Sequence, residues 1–126
     1  MSAITSSLSE MDGVIEEWKR SHPETLRKAP RERASIILQN RLRFVAALGK
    51  LHEELKTDPK LTANAALSEE FGSRLSQVRK NLGDLQTKWR ISDVEQDYEG
   101  YARASAPFAE SALAFARWAK DAYYRG

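Results

Sequence analysis

Residues 71–89 read FGSRLSQVRKNLGDLQTKW, and six positions among them decide the fold. Phe71, Leu75, Val78, Leu82, Leu85 and Trp89 recur at alternating intervals of four and three, while every residue between them is polar, charged or glycine. An α-helix turns once in ~3.6 residues, so this spacing lays all six side chains along one face. The stretch predicts an amphipathic helix with that face turned toward a partner.

The same spacing appears in three other stretches. Ile4, Leu8, Met11, Ile15 and Trp18 form the first. Ile37, Phe44, Leu48, Leu51 and Leu55 form the second, with Arg41 standing where the series calls for an apolar residue. Val94, Tyr98, Tyr101, Ser105, Phe108, Ala112, Phe115, Ala119 and Ala122 form the last. No segment alternates with period two over the length of a strand, so the fold class is all-α. Long helices are expected over roughly 30–56, 63–90 and 93–125, behind a shorter N-terminal helix. At ~1.5 Å per residue such rods reach about 40 Å, and short links favour an up-and-down antiparallel bundle forming one domain over residues 1–126.

Punctuation residues set the expected limits. Ser7 with Glu10, and Ser92 with Glu95, match the capping-box pattern. Pro23 and Pro30 suit first turns of helices, which makes residues 21–30 a connector. Thr57, Asp58 and Pro59 end the second helix, and Asp58 is placed to cap the turn after it. Pro107 falls inside the last pattern, whose phase continues from Tyr101 through Phe108 to Phe115, so the last helix is expected to bend there rather than stop. Gly49, Gly72, Gly83 and Gly100 each cost ~1 kcal/mol inside a helix, a cost expected to be offset by close packing of neighbouring helices.

Composition removes several chemistries. The chain of 126 residues contains no cysteine, which excludes disulfides, thiolate metal sites and cysteine nucleophiles. Its two histidines, His22 and His52, sit in no His-x-x-x-His or Glu-x-x-His pair. Neither a Gly-rich phosphate loop nor a Gly-x-Ser-x-Gly elbow occurs. No metal and no cofactor are expected, and an enzyme is disfavoured. The first 25 residues lack a basic lead into an apolar core, and no apolar run approaches the ~20 residues of a membrane span. A cytoplasmic protein without membrane contact is the expectation.

Charge is uneven although the net value is only +2. Residues 1–26 hold five acids and two bases, whereas residues 27–56 hold eight bases and three acids. Arg31, Arg33, Arg41 and Arg43 are therefore candidate anion-binding residues for nucleic acid or another polyanion. At 100° per residue they do not share one stripe, which disfavours that reading and leaves attraction to the acidic first helix as the simpler role. A third reading centres on Arg41 alone: a guanidinium on an apolar face needs acceptors around it, as at a small-anion site or in a helical enzyme.

The last helix has the most unusual composition, with nine alanines between Ala102 and Ala122. Alanines let helix axes approach closely. Leu113, Trp118, Tyr123 and Tyr124 lie off its main stripe, and exposed aromatics are typical interface anchors. These four are the expected partner-binding residues. The function expected from the sequence is a non-enzymatic protein–protein interaction module: a dimerising bundle, adaptor or chaperone-like binder, engaging another protein chain or itself.

Overall fold

The computed structural model describes residues 2–125, and every regular element among them is helical. The helices are α1 (Ala3–Thr25), α2 (Pro30–Thr57), α3 (Pro59–Thr62), α4 (Ala65–Lys88), α5 (Ile91–Gln96) and α6 (Tyr98–Arg125). Four are long, and two are short turns at the corners α2–α4 and α4–α6.

Local chemistry explains the ends, and several differ from expectation. Helix α1 starts at Ser2, whose hydroxyl accepts the Thr5 amide at 3.2 Å. Ser7 is not a cap; it lies buried inside α1 and donates to Glu54 Oε1 at 2.7 Å, tying α1 to α2. Pro23 sits in the last turns of α1 instead of opening a helix. Its missing amide removes one bond near a helix end where few remain to be lost. The connector therefore shrinks to residues 26–29. Pro30 occupies the first position of α2, where a proline costs no bond.

Asp58 closes α2 with its amide on the Glu54 carbonyl and opens α3 by accepting the Leu61 amide at 3.1 Å. Asn64 caps α4 in the same way through Leu67. The expected Ser92–Glu95 box is replaced by Arg90, whose amide reaches the Asp93 carboxylate at 3.0 Å. The last helix is divided at Asp97, where ψ of 70° leaves the helical region. Asp97 ends α5 through its own amide and begins α6 by accepting the Gly100 amide at 2.9 Å. Helix α6 then runs through Pro107 as a helix.

Two groups of buried side chains hold these helices together. The larger joins Leu8, Met11, Leu51, Leu61, Phe71, Leu75 and Ala112, drawn from α1, α2, α3, α4 and α6. The smaller joins Ile37, Val94, Tyr98 and Tyr101 around α5, and Trp18 packs against both. Each fully buried Leu or Ile contributes about 1.5–3 kcal/mol relative to an exposed one. Along the α4 seam, Phe71, Leu75, Val78 and Leu82 are buried, whereas Leu85 and Trp89 at its end are half-buried.

The glycines correct an expectation. An added Cβ at Gly49, Gly72 or Gly83 would meet no atom within 4 Å, so no neighbouring helix packs over them. Among the described glycines only Gly100 is crowded: a Cβ there would lie 2.7 Å from Asp97 Cγ and 2.9 Å from the Trp89 ring.

Candidate functional site

The structure places the four α6 candidates differently. Leu113 is 2% exposed and belongs to the core of its own chain, so it presents nothing to a partner. Trp118 is half-buried, 5.2 Å from the Phe71 ring, with the Arg74 guanidinium 4.1 Å above its face. Tyr123 is half-buried and donates its hydroxyl to Asp58 Oδ1 at 3.0 Å, under the Lys60 ammonium. Tyr124 alone stands in solvent, 69% exposed. The physical reason is that α6 meets α1, α4 and α5 at once, so both of its apolar sides are covered. Alanines at 109, 112, 116 and 119 are buried and make that close approach possible.

The four arginines do not converge on one surface. Arg31 is exposed and forms no ion pair among the described residues. Arg33 donates to the Leu26 carbonyl and lies over the Tyr98 ring. Arg43 bridges Glu17 at 2.9 Å and Glu10 at 3.5 Å, the attraction to the acidic first helix that the charge distribution suggested. Hydrogen bonding and charge from Arg43 hold the Glu17 carboxyl below its ordinary range. Helix α1 is pinned to α6 by Lys19–Glu110, Arg117–Glu16 and Lys120–Asp12.

Sequence reasoning missed a surface on α2. Leu38, Leu42 and Val45 are 41%, 61% and 46% exposed, and their spacing puts them on one line. The line continues at the same four-three intervals through Arg31, Ser35, Gly49, His52 and Lys56. It shadows the core-facing series 37, 41, 44, 48, 51, 55, buried except at the half-buried Arg41, one residue further along, so α2 carries two adjacent heptad seams. The buried one was found because it holds more large apolar residues. The signal for the other was present in the triplet Leu38, Leu42, Val45.

Arg41 stands beside a cleft of about 60 Å³ between α1, α2, α4 and α6 that opens to solvent. Its walls are apolar, from Val14, Ile15, Phe44, Leu82, Leu85 and Phe108, and its polar lining comes from Trp18, Asn40, Arg41, Tyr101 and Ser105. Arg41 Nη2 donates to the Trp89 carbonyl at 2.6 Å, and the guanidinium lies 5.2 Å from the Tyr101 ring centre. Arg41 Nε and Trp18 Nε1 are buried and donate to no acceptor among the described residues. A buried donor left in that state costs about 1–3 kcal/mol. Burial raises the Tyr101 phenol above its usual value, and the Arg41 charge pulls the other way.

No protein-family model, curated protein or solved structure matches this chain. Among the described residues, no three acidic or histidine side chains gather as a metal site would require. No helix among them is long and apolar enough to cross a membrane.

Proposed function

We propose that this chain is a non-enzymatic association module that pairs with a second copy of itself along the outer face of α2. The proposal takes the four long helices as an up-and-down antiparallel bundle, with α6 bent at Pro107 and α2 offering its second seam. The observation that carries it is the exposed line Leu38, Leu42 and Val45. Three large aliphatic side chains in a row, rimmed by polar residues, lose contact with water when a second helix covers them.

The occupant is argued from the pattern around that line. Ser35 and Gly49 flank the three aliphatic residues on the same face, and both are small enough for a helix to approach closely. Arg31 lies beyond Ser35 and Glu53 beyond Gly49, so antiparallel pairing of two identical helices sets each Arg31 near Glu53 of the other copy. Among the described residues Glu53 makes only an exposed 3.6 Å contact with Lys56, and little is lost in exchanging it.

Size sets the strength. The seam from Arg31 to Lys56 is about 38 Å long and a helix about 10 Å wide. That face covers about 400 Å² per copy, half of the ~800 Å² typical of a stable interface. The expected pairing is reversible and in the micromolar range.

Sedimentation equilibrium across about 10 to 500 μM tests this, the range in which a micromolar equilibrium shifts. The unmodified chain is expected to move from monomer toward dimer. Leu42→Glu, on an exposed position, is expected to remain monomeric with unchanged helicity, while Tyr124→Ala associates normally. A monomer throughout, or equal association of Leu42→Glu, overturns the proposal.

A further inference from the structure

The geometry points to a second, independent site: the cavity beside Arg41 binds a short aliphatic monocarboxylate of the size of propionate or isobutyrate. The inference does not rest on self-association, because none of the residues lining the cavity is one of the exposed Leu38, Leu42 and Val45, although Ile37, Arg41 and Phe44 precede them on α2.

Three observations converge on that ligand class. The first is sign. Arg41 is half-buried and always charged, yet it forms no ion pair among the described residues; its partners are the neutral Trp89 carbonyl and Tyr101, by ring and hydroxyl. A desolvated positive charge with neutral partners attracts an anion more strongly than a charge in water does.

The second is donor inventory. Two buried N–H groups of cavity-lining residues, Arg41 Nε and Trp18 Nε1, have no acceptor among the described residues. Neither group can accept, so they are satisfied only by an acceptor from outside. A carboxylate offers two oxygens with about four lone-pair directions, enough for both. An ammonium or other pure donor is excluded by the same count.

The third is size and wall chemistry. Valine, isoleucine, leucine and phenylalanine side chains make most of the wall, which rejects a fully hydrated inorganic anion. A water needs about 10–15 Å³ measured in this way, so 60 Å³ admits about four to six non-hydrogen atoms. That is a carboxylate with one to three further carbons, the range to which propionate and isobutyrate belong. A ligand of so few atoms binds at millimolar concentration rather than tightly.

The test uses the indole N–H resonance of Trp18 in a ¹H–¹⁵N correlation spectrum of the full chain, assigned by its loss in Trp18→Phe. Sodium isobutyrate is titrated against isobutyramide, its neutral isostere, at matched ionic strength with sodium chloride. Isobutyrate is expected to move the Trp18 indole resonance saturably, with isobutyramide weaker by roughly tenfold or more. Arg41→Lys keeps the charge but removes the planar N–H fork, and it is expected to weaken isobutyrate by a similar factor while retaining a folded spectrum. Equal shifts from acid and amide, equal shifts from chloride, or an unmoved Trp18 resonance overturn the inference. Undiminished isobutyrate binding by Arg41→Lys overturns the assignment of the ligand to the Arg41 fork.

Discussion

Burial of Tyr98 and Tyr101 holds both phenols above the ordinary tyrosine range, with loss of hydration as the main cause in each case. The raised value has a definite consequence for stability. Above a pH of about 10 the unfolded chain releases its tyrosine protons while the native chain keeps them. The unfolded state then binds fewer protons, so stability falls as pH rises. The contribution is complete below about pH 10 and disappears as pH climbs through the native values. Tyr101→Phe removes one such phenol. Its urea midpoint is expected to decline less between pH 9 and 11 than that of the unmodified chain, after a loss of about 1 kcal/mol at neutral pH from the removed hydroxyl. Parallel declines would show that the Tyr101 phenol titrates alike in both states. Trp18 and Arg41 differ in how far their sequence betrays them. The spacing marked Arg41 as out of place, but the orphaned indole nitrogen of Trp18 was invisible, because burial of one atom depends on three other helices.

At the scale of elements, the division of the last helix at Asp97 was hidden for a physical reason. The apolar series Val94, Tyr98, Tyr101 keeps its four-three phase across the break, so periodicity alone reads one continuous rod. The decisive signal was short-range: an aspartate three residues before a glycine, whose carboxylate accepts the Gly100 amide. Gly100 must remain small because the Trp89 ring and the Asp97 carboxylate crowd the place of a Cβ. Gly100→Ala is expected to destabilise by about 1–3 kcal/mol. Gly72 and Gly83 face open space with no positive φ, so alanine at either is expected to stabilise by about 0.5–1 kcal/mol. Urea denaturation at one pH reads both signs, and a common sign for Gly72 and Gly100 would refute the distinction. The long helices were legible because their seams are dense in large apolar residues. Their ends were less so, since Ser2, Asn64 and Asp97 are ordinary polar residues until a free amide comes within reach; Asp58 was the exception, marked as a cap by the proline that follows it.

For the whole molecule, the expectation of an over-greasy last helix fails because α6 touches α1, α2, α4 and α5 and conceals Leu113 and most of Trp118. The spare apolar surface lies instead on α2, where a weaker second seam runs beside the stronger one. If two copies pair along it, the thermal midpoint rises with protein concentration, since association stabilises only the folded chain. Leu42→Glu is expected to abolish that dependence without lowering the midpoint measured at high dilution. A midpoint independent of concentration in the unmodified chain would contradict self-association.

Asp58 also has a temporal consequence. One of its carboxylate oxygens shapes the corner at Leu61, and the other receives the hydroxyl of Tyr123, 65 positions later. Synthesis runs from the N-terminus, so a nascent chain makes this corner long before its distant partner leaves the ribosome. The bend after α2 therefore waits for the last turn of α6 to clasp it, and chains halted short of residue 123 carry it unclasped.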